Sequence, residues 1–218
     1  MEVVADHMQV TLDDLKWHRS SSTPKDYFFL RHFLAINDFR VALTLACQNS
    51  PLSLRGFIPE YVGEKVSGNV KKYLRDSIFD IQNPRHSLSH TPDAAFAIEK
   101  DGKAALFFVE IDQGSETVND PTKGVMKAVV FYLNYWTAGK FTRYEEDFGR
   151  EFKTFRTLFI TNSPRRLAHM REAATTYQFP KKQAKRFVWG AVDVTKDTIF
   201  SPIWQAFDTK DETIYTIG

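Results

Sequence analysis

The sequence predicts a mixed α/β fold: a central sheet covered by helices, with a helical segment at its N-terminal side. Three observations predict it. Tyr27 to Gln48 contains no Gly or Pro and spaces its apolar residues with a helical period. An Asp-Gly turn then joins two apolar runs, residues 94–99 and 104–112, which is a strong hairpin signal. Beyond the hairpin, helix, strand, helix and strand alternate, and a strand–helix–strand step requires a crossover connection onto a mixed sheet.

Each element follows from local chemistry. Residues 1–26 are polar, and Ser20-Ser21-Ser22-Thr23-Pro24 reads as a linker. In the first helix Phe29, Phe33, Ile36, Leu43 and Cys47 form the apolar set, while Asn37, Arg40, Thr44 and Gln48 fall on another face. Residues 51–56 break the pattern. Residues 59–75 are expected to form a second helix, weakened by Gly63 and Gly68. Residues 81–90, rich in Asn, Pro, Ser and His, read as a loop. The run 104–112 is nearly all apolar, so a central strand covered on both faces is expected. Asn119-Asp120-Pro121 reads as a helix start, with Asp120 as cap and Pro121 in the first turn. That helix extends to about Trp136, burying Val125, Met126, Val129, Leu133 and Trp136. Residues 155–161 are a buried strand, Asn162-Ser163-Pro164 starts a helix to about Tyr177, and residues 186–192 read as the last strand.

Composition narrows the function classes. With 43% hydrophobic residues and 19 Phe, the chain of 218 residues can bury a sizeable Phe-rich core. Its single cysteine, Cys47, excludes an internal disulfide and a cysteine zinc cluster. No apolar run approaches transmembrane length and no signal-peptide pattern opens the chain, so a cytoplasmic protein with no membrane partner is expected. No Gly-rich phosphate loop is present, and Ser163 lacks a base partner. The net charge is only +2, but residues 140–186 carry twelve Lys/Arg against five Asp/Glu, a local sum of +7 that favours phosphate-bearing partners.

The informative residues are three acids. Asp93 precedes the first hairpin strand, and Glu110 and Asp112 end the second. Glu110 and Asp112 are two positions apart and so point to the same face of a regular strand, which Asp93 can reach from the neighbouring strand. Carboxylates so placed are ligands for a hard cation, Mg²⁺ or Mn²⁺, and such an ion supplies what phosphodiester hydrolysis needs. An acid ending an apolar strand also needs a partner for its charge, which a metal or a lysine provides. Lys127 on the following helix is the candidate to assist the water or the transition state, with Lys123 next.

These residues resemble a family. Pro92-Asp93 followed by Glu110-x-Asp112 is similar to the PD-(D/E)xK nuclease pattern. His32 to Arg40, Pro92-Asp93-Ala94, and Glu110-Ile111-Asp112-Gln113-Gly114-Ser115-Glu116 with Lys127 and Tyr132 resemble the plasmid replication-relaxation family. The resemblance runs from about His32 to Trp204. It implies a restriction-endonuclease-like sheet core and a relaxase-type, metal-dependent protein that nicks or hydrolyses plasmid or mobile-element DNA. On that reading residues 27–218 are one nuclease-like domain, helical over 27–80 and sheet-based over 81–218. Asp93, Glu110 and Asp112 hold the metal, Lys127 assists, and Arg40, Lys123, Arg165, Arg166, Lys181 and Lys182 contact DNA. Oligomerisation is left open.

Two departures qualify the resemblance. Asp112 stands where the motif has Lys, so the alternative is a catalytically inactive accessory that binds DNA or protein; an interaction module without nucleic acid is a third reading. Family members usually carry a winged-helix domain in front, and residues 1–26 are too few for one, so the chain is a fragment or finds DNA by another route. Among other residues, His32, His86 and His90 are candidate bases or ligands, and Glu60 is a helix-start acid or a fourth ligand. Asn37 and Arg40 share a helix face. Tyr132, Tyr135 and Trp136 read as core.

Overall fold

In the computed structural model, residues 27–66 and 68–218 are described, except the side chains of residues 27–29, 66 and 182–184. The polar tail and its linker lie outside the described residues. Residues 32–218 form one compact unit, and the described residues 27–31 fall outside it.

The elements are α1 (Tyr27–Gln48), β1 (Ser53–Pro59), β2 (Gly63–Val66), β3 (Asn69–Lys72), β4 (Asp76–Phe79), β5 (Ser87–His90), β6 (Ala94–Lys100), β7 (Lys103–Asp112), α2 (Gly124–Ala138), α3 (Tyr144–Phe148), β8 (Phe155–Thr161), α4 (Pro164–Thr176), β9 (Val188–Val192), β10 (Trp204–Ala206) and β11 (Ile214–Tyr215). Seven strands form one mixed sheet in the order β1-β6-β7-β8-β9-β10-β11. β7, β8 and β9 run parallel, while the pairs at either side are antiparallel. The mixed sheet with crossover helices is thus the fold that the alternation of elements predicts.

Period-two alternation divides the core between the two faces of the sheet. Leu106 and Phe108 of β7 pack with Val125, Met126 and Val129 of α2. Phe107 and Val109 face the other way, towards Phe39 and Leu43 of α1. With β6 on one side and β8 on the other, β7 is central and buried on both faces. The hairpin turn has Asp101 and Gly102 at φ 50 and 75, the pair of positive angles a two-residue turn of matching twist requires.

Five expectations are corrected. The helix over 59–75 does not form; β1 ends at Pro59 and β2–β3 make a two-stranded ribbon. Gly68 at φ 82 reverses the chain there, and two glycines within ten residues remove the helical preference. The segment read as a break, 51–56, supplies the start of edge strand β1, and the expected loop 81–90 supplies β5, paired with β4. The helix after Asp120 starts at Gly124: Asp120 Oδ1 instead accepts from the Thr122 amide at 2.8 Å, closing an Asx turn. Finally, β9 is followed by β10 and β11.

Candidate functional site

The sheet end where β6 begins and β7 finishes gathers the titratable residues. Asp93 N donates to Val109 O at 3.0 Å, extending the β6–β7 ladder, whose register pairs Ala94 with Val109. Asp93 therefore stands opposite Glu110. Both belong to the alternating set that faces α2, as Phe108 does, and so does Asp112. A cavity of about 240 Å³ opens here, lined among others by His32, His90, Asp93, Glu110, Asp112 and Lys127.

Each acid has its own partner. Asp93 Oδ1 meets His32 Nε2 at 3.0 Å, and its Oδ2 accepts from the Ile111 amide at 2.6 Å. Glu110 Oε1 meets His90 Nε2 at 2.7 Å and accepts from the Tyr132 hydroxyl. Asp112 is held differently: Arg166 grips both its oxygens, with Nη2 to Oδ1 at 2.6 Å, and Thr161 Oγ1 donates to Oδ2 at 3.1 Å. The parallel register sets Asp112 beside Thr161. The chain then enters α4, capped by Ser163, whose Oγ accepts from Arg166 N at 3.3 Å, and Arg166 in the first turn reaches back to the strand end.

The titration directions report a crowded anionic pocket. Burial pushes the Asp93 carboxyl above its usual range, and the Glu110 charge adds to this, against the opposing hydrogen bond from His32. His32 is raised by its hydrogen bond to Asp93, which outweighs burial. Burial works against protonation of His90, yet the charge and hydrogen bond of Glu110 raise it. The Tyr132 hydroxyl is pushed far up by burial and then by Glu110, so it stays a donor.

The residues predicted from sequence separate into two groups. Asp93, Glu110 and Lys127 share the cavity, and Lys127 has no ion-pair partner among the described residues. Asp112 lines the cavity too, but its carboxylate is spent on Arg166. Among the described residues no group of three or more His, Cys, Asp or Glu is arranged to hold a metal ion. Arg166 thus supports Asp112, and Arg165 lies beside it in a surface hollow with His169 and Glu172. Lys123 pairs with Asp120 at 3.4 Å, and Arg40 lies over the Phe57 ring at 5.7 Å; neither lines the cavity. Lys181 is exposed and also lies outside it; the Lys182 side chain is among those not described.

Other candidates resolve as follows. Glu60 pairs with Lys72 at 2.8 Å, and Asn37 Oδ1 accepts from the Tyr61 hydroxyl at 3.3 Å. His86 is exposed and outside the cavity. Tyr132 was read as core; it is buried, but its hydroxyl serves Glu110. The signal available in the sequence was that a tyrosine inside a buried helix must send its hydroxyl to an acceptor. Tyr135 does the same with Asp76 at 2.7 Å.

The donor chemistry can be weighed against a divalent cation. Mg²⁺ commonly takes one or two carboxylates and fills its shell with water and phosphate oxygens. A carboxylate offers about four lone-pair sites. Asp93 uses two, and Glu110 Oε2 has no protein partner among the described residues. Two carboxylates in one cavity therefore fit such an ion, with the remainder of its shell from outside the protein.

Compared with known proteins, the chain matches the family model described as Replication-relaxation over residues 6–150, more than half its length. The curated proteins and the solved structures give no match.

Proposed function

The chain belongs to the replication-relaxation family, and from that premise we propose that it acts in plasmid replication or mobility as a metal-dependent protein that cleaves a DNA phosphodiester. One observation carries the reading: Asp93 and Glu110, opposite each other on adjacent strands, share a cavity with Lys127, which has no ion-pair partner among the described residues. Asp93 and Glu110 would hold Mg²⁺ or Mn²⁺. Bound there, the ion would neutralise phosphate charge and activate a water.

The protein's own groups have distinct tasks. His32 and His90 fix the orientation of the two carboxylates, and Tyr132 adds a second donor to Glu110. Lys127, on α2, would pair with a non-bridging phosphate oxygen and stabilise charge as it builds up. It takes the part that the motif gives to the residue at position 112. Asp112 is withdrawn from the chemistry by Arg166.

Nicking of supercoiled plasmid in Mn²⁺ tests this. The wild type should nick and should bind Mn²⁺ in calorimetry; Glu110→Gln and Lys127→Ala should lose nicking by about a hundredfold or more, in line with the loss of one charge-stabilising group. No Mn²⁺ binding by the wild type would refute the reading. The Asp112–Arg166 pair favours one alternative, a DNA-binding accessory that does not cut. Salt-dependent DNA binding with no nicking in Mg²⁺ or Mn²⁺ would establish it.

A further inference from the structure

The β2–β3 ribbon belongs to neither core face. Its register pairs Gly63 with Lys72, Glu64 with Lys71, Lys65 with Val70, and Val66 with Asn69. Directly paired residues share a face of a ribbon. One face thus carries Lys65, Val70 and Lys72; the other carries Glu64 and Lys71. Val70 is 72% exposed, an apolar side chain held in water. Lys65 and Lys71 are exposed and have no ion-pair partner among the described residues, and Arg75 follows β3 with only a hydroxyl, that of Ser89, as partner. Residues 63–75 contain four Lys/Arg and one acid.

The ribbon is also anchored beside the cavity. Glu60, which leads into it, donates its amide to Asp93 O at 2.8 Å, and Tyr73, which leaves it, donates to Val62 O at 2.8 Å. Its root is therefore one hydrogen bond from a residue of the candidate site. The major groove of duplex DNA admits a two-stranded ribbon, and lysines along such a ribbon meet phosphates on either side.

We propose that the β2–β3 ribbon is a DNA-contacting arm, in which Lys65 and Lys71 engage backbone phosphates of a duplex whose scissile segment lies at the cavity. The proposal rests on the DNA reading given above and adds the surface that holds the duplex. Basic character, an exposed apolar residue and attachment at Asp93 together select duplex DNA as the occupant.

The test uses the full chain and a fluorescein-labelled duplex of mixed sequence, about two helical turns long, followed by anisotropy between about 50 and 200 mM salt. Each phosphate contact contributes about 0.9 to the slope of log K against log salt. The Lys65→Ala/Lys71→Ala double variant should lower the slope by nearly two, with affinity near 0.1 M salt falling by about ten- to a hundredfold. Lys65→Arg/Lys71→Arg should retain the slope. Both alanine positions are exposed, so the melting temperature should be that of the wild type. A wild type that binds, with a double-alanine variant of equal slope and affinity, overturns the arm and leaves the functional reading standing. A wild type without affinity at the lowest salt overturns both.

Discussion

Replacing Arg166 by methionine leaves the Asp112 carboxylate buried with one partner. The Asp112 side chain is 4% exposed, and among the described residues only the Thr161 hydroxyl remains once both arginine bonds go. Breaking a buried ion pair from one side destabilises by about 3–5 kcal/mol, because the surviving charge has lost its compensation. Arg166 is itself 18% exposed, so water can enter from its side, and the lower figure of about 3 kcal/mol is expected. For a chain of this size that is a drop in melting temperature of about 6–12 °C. Asp112→Asn combined with Arg166→Met removes the charge and keeps a contact for Thr161, so it should return to within about 1 kcal/mol of wild type. Urea unfolding of the three proteins measures this. A single variant within about 0.5 kcal/mol of wild type, the ordinary range for surface changes, would refute the reasoning, as would a double variant no better than the single. The double variant should also bind Mn²⁺ as the wild type does; a tenfold loss would make Asp112 a ligand after all.

Other positions give independent tests. Gly124→Ala should destabilise by about 3 kcal/mol, since φ is +60 and a Cβ would lie 2.2 Å from the Thr117 carbonyl oxygen; nicking should fall too, because α2 carries Lys127, and circular dichroism melts with plasmid assays report both. Phe107→Ala should lose about 3–5 kcal/mol in chemical denaturation, for the ring is 2% exposed and stacks on Phe96 at 4.9 Å. Gly190→Ala should lose about 1–3 kcal/mol, because the added methyl would meet Leu167 Cδ1 at 2.4 Å and Phe207 Cε1 at 2.7 Å; a variant melting with the wild type would show that the packing there yields.

Much of the frame was legible because its signals are local. Tyr27–Gln48, the 101–102 turn, the 155–161 strand and the helix after Ser163 follow from periodicity, turn chemistry and capping. Residues 59–75 were misread because a short polar ribbon has no buried face, so neither a helical nor a strand period is imposed on it. β10 and β11, of three and two residues, are shorter than any window in which alternation can be seen. At the candidate site, the gathering of Asp93, Glu110, Asp112 and Lys127 around one place was legible. The partner of Asp112 was not: Arg166 lies 54 positions away and reaches it only because β8 runs parallel to β7.

That parallel step also explains why an acid can occupy position 112. A carboxylate at the end of a buried central strand requires a cation. The nuclease pattern avoids the problem by placing a lysine there. Here Asp112 reverses the sign, and the crossover after β8 delivers a guanidinium of matching geometry from the first turn of α4. The pair is locally neutral, so the titratable groups left at the cavity are Asp93, Glu110, Glu116 and Lys127, with His32 and His90 beside them. The Asp93 carboxyl is raised above its usual range by burial first, with the Glu110 charge across the same cavity adding to it. On the reading proposed above, an acid neutralised by Arg166 at position 112 leaves Lys127 of α2 as the ammonium at the cavity.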